Sequence, residues 1–210
     1  PHGLLTELIS WPQRSVDEPG TDVVVRGPRE GFIEGVRSNV ALLRRKIHHP
    51  DFRVEMQRLG RYSQTDVAVV YVDSIANKNV LALLRKRLAS IDIDAILDSG
   101  QVEQLIQDTP YSLFPTVGVT EKPDIAAGKV LEGRVAVLVD GSPVALTVPM
   151  LFAEGLQSPE DYYTRFWYAD WVRLIRVLSM IISIFFPGLF VAAAVWHQQI
   201  IPFRLFLSIA

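Results

Sequence analysis

Apolar residues recur along the chain in three different periods, and each predicts a different element. Ile33, Val36, Val40, Leu43 and Ile47 stand at spacings of 3, 4, 3 and 4, one face of a helix over 31–47. Phe52, Val54 and Met56 alternate with Arg53, Glu55 and Gln57, the period of a half-exposed strand. Residues 66–72 are apolar on both faces, hence a central strand, and Val80, Leu81, Leu84 and Leu88 line a helix over 77–89. The stretch 91–97 predicts a returning strand, so strand, helix and strand should cross over right-handed into a parallel pair. Asp98 with Gln101 three positions on is a capping box that opens a short helix to Asp108, and 122–131 predicts a further helix. An Asp140-Gly141 step between the apolar runs 134–139 and 144–148 signals a hairpin. Ser158 as cap, Pro159 at the first helical position and Asp161 at the third start a last amphipathic helix. It leads into 177–196, VLSMIISIFFPGLFVAAAVW, twenty residues without a charge. At 1.5 Å per residue that run is about 30 Å long, the thickness of a bilayer's hydrocarbon core.

The expected fold class is therefore α/β, a layered mixed sheet with flanking helices, followed by an interfacial helix and a transmembrane helix. The expected divisions are a truncated N-terminal segment and linker over 1–25, an α/β domain over 26–157 and a juxtamembrane helix over 158–176. The transmembrane helix takes 177–196, and 197–210 holds a loop and the start of a further membrane segment. The stretch 4–11 reads as the end of a helix. Pro1 in place of an initiator methionine, and an apolar run at the other end, read as a chain cut at both ends.

Charge sharpens that boundary. The whole chain carries 21 basic and 23 acidic residues, a net charge of -2, and 49% of it is hydrophobic, which as an average describes one soluble domain. Yet after Arg176 the only charged residue is Arg204. The near balance excludes a strongly basic nucleic-acid binder, so no nucleic-acid partner is expected. Arg165, Arg173 and Arg176 precede the apolar span, and by the positive-inside rule they place the large N-terminal domain in the cytoplasm. Tyr162, Tyr163, Phe166, Trp167, Tyr168 and Trp171 crowd the same approach and Trp196 closes the far end, the aromatic anchors of a lipid bilayer's headgroup zones. Pro187-Gly188 at mid-span predicts a kink and a freed carbonyl, which favours a helix within a bundle over a lone anchor.

Candidate chemistry is sparse. With no cysteine there is no thiolate nucleophile and no thiolate metal site. Asp92, Asp94 and Asp98 resemble part of a calcium loop, but Leu97 holds the place of its required glycine. His48 and His49 are adjacent, so on a helix they point about 100° apart and seldom share a metal. Gly128-Lys129 and the Gly27–Gly31 segment lack the other residues of a phosphate-binding or dinucleotide fingerprint, and Ser142 lacks the glycines of a nucleophile elbow. No catalytic residue, cofactor or metal is expected. Two other readings stay open: a membrane-tethered α/β enzyme using Asp66, Asp92 or Asp98, and a tail-anchored adaptor.

Seven strings, in order, carry a resemblance. They are VVRGPREGF (24–32), RSNVALLRR (37–45), TDVAVVY (65–71), IDIDAILDSG (91–100), LEGRVA (131–136), VDGSP (139–143) and SPEDYY (158–163). The chain in this respect resembles the GerA family, the A subunits of bacterial spore germinant receptors. The resemblance implies a cytoplasmic N-terminal domain, several membrane helices and a place in the inner membrane of the spore. It further implies a permease-like B subunit and a lipoprotein C subunit as partners, with A subunits oligomerising into an ion channel that answers nutrients such as amino acids or sugars. Arg29, Glu30, Asn39 and Asp66 fall within the strings and are polar. They read either as interface and coupling residues, with Pro187 and Gly188 in the membrane, or as a local helix start with its ion pairs.

Overall fold

The computed structural model describes residues 15–20, 22, 27–108, 112, 114–156 and 165–196. The chain divides into two compact units, Pro1–Phe152 and Ala153–Ala210.

In the first unit, five strands form one sheet: β1 (Phe52–Leu59), β2 (Thr65–Val72), β3 (Gly118–Thr120), β4 (Val135–Val139) and β5 (Ala145–Val148). Their order is β1-β2-β4-β5-β3, and every pairing is antiparallel. Helices α1 (Val36–Lys46) and α4 (Pro123–Leu131) pack on one face, and α2 (Lys78–Ala89) and α3 (Ser99–Ile106) on the other. Alternation along the central strands builds the two cores. Val67, Val69, Tyr71, Val135, Val137 and Val139 turn toward α2 and α3, whereas Ala68, Val70, Val72, Ala136 and Leu138 turn toward α1 and α4. A strand covered on both faces needs an apolar residue at every position, which is the run that marked 66–72 as central.

The layered α/β class stands, with three differences in detail. Residues 91–97 alternate correctly, Ile96 buried and Ile91 and Ile93 packed on the core, but they form no strand and no parallel pair. Their backbone is taken instead by the β1–β2 turn: Arg61 N donates to the Ile93 carbonyl (2.9 Å), Tyr62 N to that of Asp94 (2.8 Å), and Ser63 Oγ accepts from Ile96 N (3.0 Å). Helix α1 starts at Val36 and not at Gly31, because the Asn39 side chain takes the Ile33 carbonyl that a helix would offer to Arg37 N. Strand β3, three residues long, is too short to show a period. Elsewhere the capping signals hold. Asp98 accepts from Gly100 N at 3.1 Å, and Gln101 Oε1 reaches back to Leu97 N at 2.8 Å.

In the second unit a 3-10 turn that begins at the boundary, Phe152–Leu156, is followed after undescribed residues by α5, Phe166–Trp196. The juxtamembrane and transmembrane helices expected separately are, over the described residues, one 31-residue helix that runs through Pro187. It is long and apolar enough to cross a membrane, and its apolar window is exposed throughout. A core helix of a soluble protein would bury that surface; Ile184, Phe185, Phe186, Leu189 and Phe190 all face outward. Its two serines are satisfied internally, Ser179 Oγ donating to the Arg176 carbonyl (2.9 Å) and Ser183 Oγ to that of Ser179 (2.7 Å). The expected helix end at 4–11, the cap at 158–161, Tyr162, Tyr163 and the segment 197–210 lie outside the described residues.

Candidate functional site

Three of the strings singled out in the sequence, 65–71, 91–100 and 139–143, meet in space. Strands β1 and β4 end, and β2 and β5 begin, at the same end of the sheet, and four separate segments are sewn together there. The chain before α1 arrives first: Gly141 N donates to the Glu34 carbonyl (2.8 Å), and Val36 N donates to Asp140 Oδ1 (3.0 Å). Gly35 has no side chain with which to cap α1, so the cap is supplied from the β4–β5 turn, 104 residues away. Asp140 N in turn donates to the Asp66 carbonyl (2.9 Å) at the start of β2. The 91–98 loop joins through Thr65 Oγ1, which donates to the Ile96 carbonyl (2.6 Å). Ser142 Oγ sits 2.8 Å from both Asp98 Oδ1 and Ser99 Oγ.

Of the four polar candidates of the first unit, Asn39 is a buried fastener and Arg29, Glu30 and Asp66 form ion pairs at the surface. Asn39 is fully buried, and its side chain holds both backbone groups of Ile33, accepting from the N–H (2.9 Å) and donating to the carbonyl. It therefore fixes the segment before α1 and presents nothing to a partner. A signal for this lay in the sequence: Val36, Asn39 and Leu43 are spaced by 3 and 4, so position 39 belongs to the buried face. Glu30 is bound by Arg45 and lies 3.6 Å from Lys46, and the Arg45 guanidinium holds its carboxyl below the usual glutamate range. The basic last turn of α1 thus clasps the segment ahead of its own first turn. Lys122, also fully buried, donates from Nζ to the Pro28 carbonyl (2.6 Å), a fastener that sequence reasoning did not single out.

Arg29 is exposed and lies 4.0 Å from Glu18. Asp66 pairs with Arg58 at 3.1 Å, and the pair forms a ridge between two open grooves. One, about 570 Å³, runs between α1 and β1 and is lined by Arg37, Val40, Val54 and Met56. The other, about 450 Å³, lies over the loop junction and is lined by Gln64, Leu97, Asp140 and Gly141. Asp66, Asp92 and Asp98, which an enzyme reading would use together, are held apart in function. Asp66 is on Arg58, Asp92 is gripped by Arg61 (2.6 and 2.7 Å), and Asp98 caps α3; only Asp66 lines either groove. His49 Nδ1 is 3.6 Å from Asp51, and among the described residues no group of three or more possible ligands could hold a metal.

Ionisation of these carboxylates carries a small acid sensitivity. Hydrogen bonds from Arg45 to Glu30, from Arg85 to Glu55, and from Ser142 to Asp98 lower all three pKa values in the folded chain. Their contribution is complete above the unfolded values, 4.5 for glutamate and 3.8 for aspartate, and is lost as pH falls through the lower folded values. Melting temperature should be flat from neutral pH down to about 5 and then fall; because all three groups are partly exposed the loss is modest, about 1 kcal/mol or less per group. A melting temperature that rises on acidification below pH 4 would contradict these assignments.

A compact antiparallel α/β unit followed by one long exposed apolar helix defines a membrane-associated protein. The chain belongs to the GerA family: the family model described as Bacillus/Clostridium GerA spore germination protein matches residues 1–210. Spore germination protein KA of Bacillus subtilis is 46% identical over 198 residues, 94% of this chain and 36% of that protein. YfkQ of the same organism, an uncharacterized membrane protein, is 36% identical over 208 residues, 99% of this chain and 40% of that protein. This chain thus spans about two fifths of the length of these relatives. Among solved structures, the N-terminal domain of the A subunit of the Bacillus megaterium spore germinant receptor GerK3 is 49% identical, with a TM-score of 0.47, over 58% of this chain and 97% of that one.

Proposed function

We propose that this chain is part of the A subunit of a nutrient germinant receptor and acts by coupling, without catalysis. Its soluble domain, taken as 26–157, lies on the cytoplasmic side of the spore's inner membrane. The subunit works with a permease-like B subunit and a lipoprotein C subunit, and oligomerises with further A subunits into an ion channel. Membership of a spore germination family supports the role, and one observation carries the coupling: the soluble unit is followed directly in sequence by the exposed apolar α5. Arg29 and Asp66 are the surface groups through which partners are contacted, and Glu30 and Asn39 keep the segment beneath them in place. Pro187 and Gly188 adapt α5 to neighbouring helices, since the missing N–H of Pro187 frees the Ser183 carbonyl for another donor.

Deleting the gene in a sporulating host stripped of redundant receptors should abolish germination toward at least one nutrient, read as loss of refractility. Unchanged germination toward every nutrient would sink the proposal.

Orientation rests on Arg165, Arg173 and Arg176, with Trp167 and Trp171 as anchors on the same side and Trp196 at the other. Changing the three arginines together to glutamate should move a measurable fraction of N-terminal reporter fusions to the far side. A reporter that stays wholly cytoplasmic would show that these charges do not set the topology.

A further inference from the structure

Phe114 and Phe152 stack edge to face, ring centroids 5.2 Å apart and planes at 83°, yet the residues remain 61% and 58% exposed. Two more apolar side chains of the same stretch of sheet are left in water, Leu151 at 53% and Val119 of β3 at 51%. Met150 N donates to the Thr116 carbonyl (2.9 Å), which prolongs the antiparallel run of β3 beside β5, and each phenylalanine stands two residues beyond one of those partners.

We propose that this apolar end of the soluble unit, led by the Phe114 and Phe152 rings with Leu151, sits in the headgroup zone of the bilayer; the inference rests on α5 crossing that bilayer. Phe152 is the last residue of the soluble unit, and the same chain enters α5 at Phe166, so the patch is tethered to the membrane. A tethered surface acts at high effective concentration and needs little affinity of its own. A stable protein partner would need roughly 800 Å² on each side, far more than a few side chains offer. An exposed aromatic pair suits the half-apolar edge of a bilayer.

The chain has no cysteine, so single nitroxide labels can be placed at will. Labels at Leu151→Cys, at Ile184→Cys within α5 and at Tyr62→Cys, 84% exposed on the β1–β2 turn, would be compared in the full chain in lipid nanodiscs by collision with oxygen and with a water-soluble nickel chelate. The expected result is that position 151 shifts from the Tyr62 pattern toward the Ile184 pattern, with more oxygen and less nickel contact. Adding Phe114→Ser and Phe152→Ser should reverse that shift. If 184 lies in lipid and 151 behaves like 62, the docking is overturned while the span stands. Shielding of 151 from both reagents overturns it in favour of a protein contact. Nickel access at 184 overturns the span, and the docking with it.

Discussion

Replacing Asn39 with leucine should cost the soluble unit more stability than any surface change and should abolish its coupling function. The side chain occupies a fully buried position and satisfies both the N–H and the carbonyl of Ile33. Leucine is of similar size but offers neither a donor nor an acceptor, so two backbone groups are left buried without partners, at about 1–3 kcal/mol each. The sum is roughly 3 kcal/mol, a fall in melting temperature of roughly 10 °C for a domain of this size. Asn39→Asp should also destabilise strongly, because at this fully buried site the carboxyl must either carry its charge against the Ile33 carbonyl or be held protonated. Thermal unfolding of the reconstituted chain followed by near-ultraviolet circular dichroism measures both. If the leucine variant melts with the wild type, the Ile33 segment is not held by this side chain.

Gly133→Ala is the second large effect, and its contrast with Gly128→Ala makes it informative. Gly133 has φ +90°, and a Cβ there would stand 2.6 Å from the Ile75 carbonyl oxygen, a backbone atom that cannot swing aside. The Gly133 carbonyl also accepts from Asn77 N (3.0 Å), and Asn77 is the residue whose side chain caps α2. Left-handed strain of about 1–2 kcal/mol thus adds to displacement of the backbone that seats a helix cap, for a total near 3 kcal/mol. Gly128 lies within α4 with nothing within 4 Å of its would-be Cβ. There alanine should stabilise, by roughly 0.5–1 kcal/mol, because it restricts the unfolded chain and favours the helix. Equal effects of the two substitutions would mean that neither backbone conformation nor space decides their cost.

Much of the soluble unit was legible because its signals are local. The alternation within β1, the unbroken apolar run of β2, the Asp140-Gly141 turn, the Asp98 cap and the face of α2 each need only a few neighbouring residues to be recognised. What escaped depends on partners distant in sequence. Residues 91–97 have a strand's side-chain alternation, but alternation reports which way side chains face and not which backbone accepts their hydrogen bonds. The inner edge of β2 was already occupied by β4, so this segment bonded to the turn at 61–63. Ile33 fitted the helical spacing of α1 and is buried as expected, yet it stands outside the helix, because Asn39 claims its backbone. Among the candidate site residues, the sequence left the contacts of each open. Asn39 proved to be a buried fastener and Glu30 a surface ion pair, while Asp66 lies on a ridge between grooves. Lys122 escaped because a lysine in a predicted helix reads as solvated, and only the fold shows it covered. For α5, composition alone carried the reading, since charge and length are one-dimensional properties.

The cap on α1 has a consequence for biosynthesis. The donor at its first residue waits for Asp140, which leaves the ribosome more than a hundred residues later. Strands β1 and β2 can pair as soon as they emerge, but the helix that should cover them stays frayed at its start until the β4–β5 turn is made. The donor at the start of α1 is therefore satisfied only when α5 is the next long element to be synthesised, so the α1 layer is completed late, close in time to the emergence of the apolar helix.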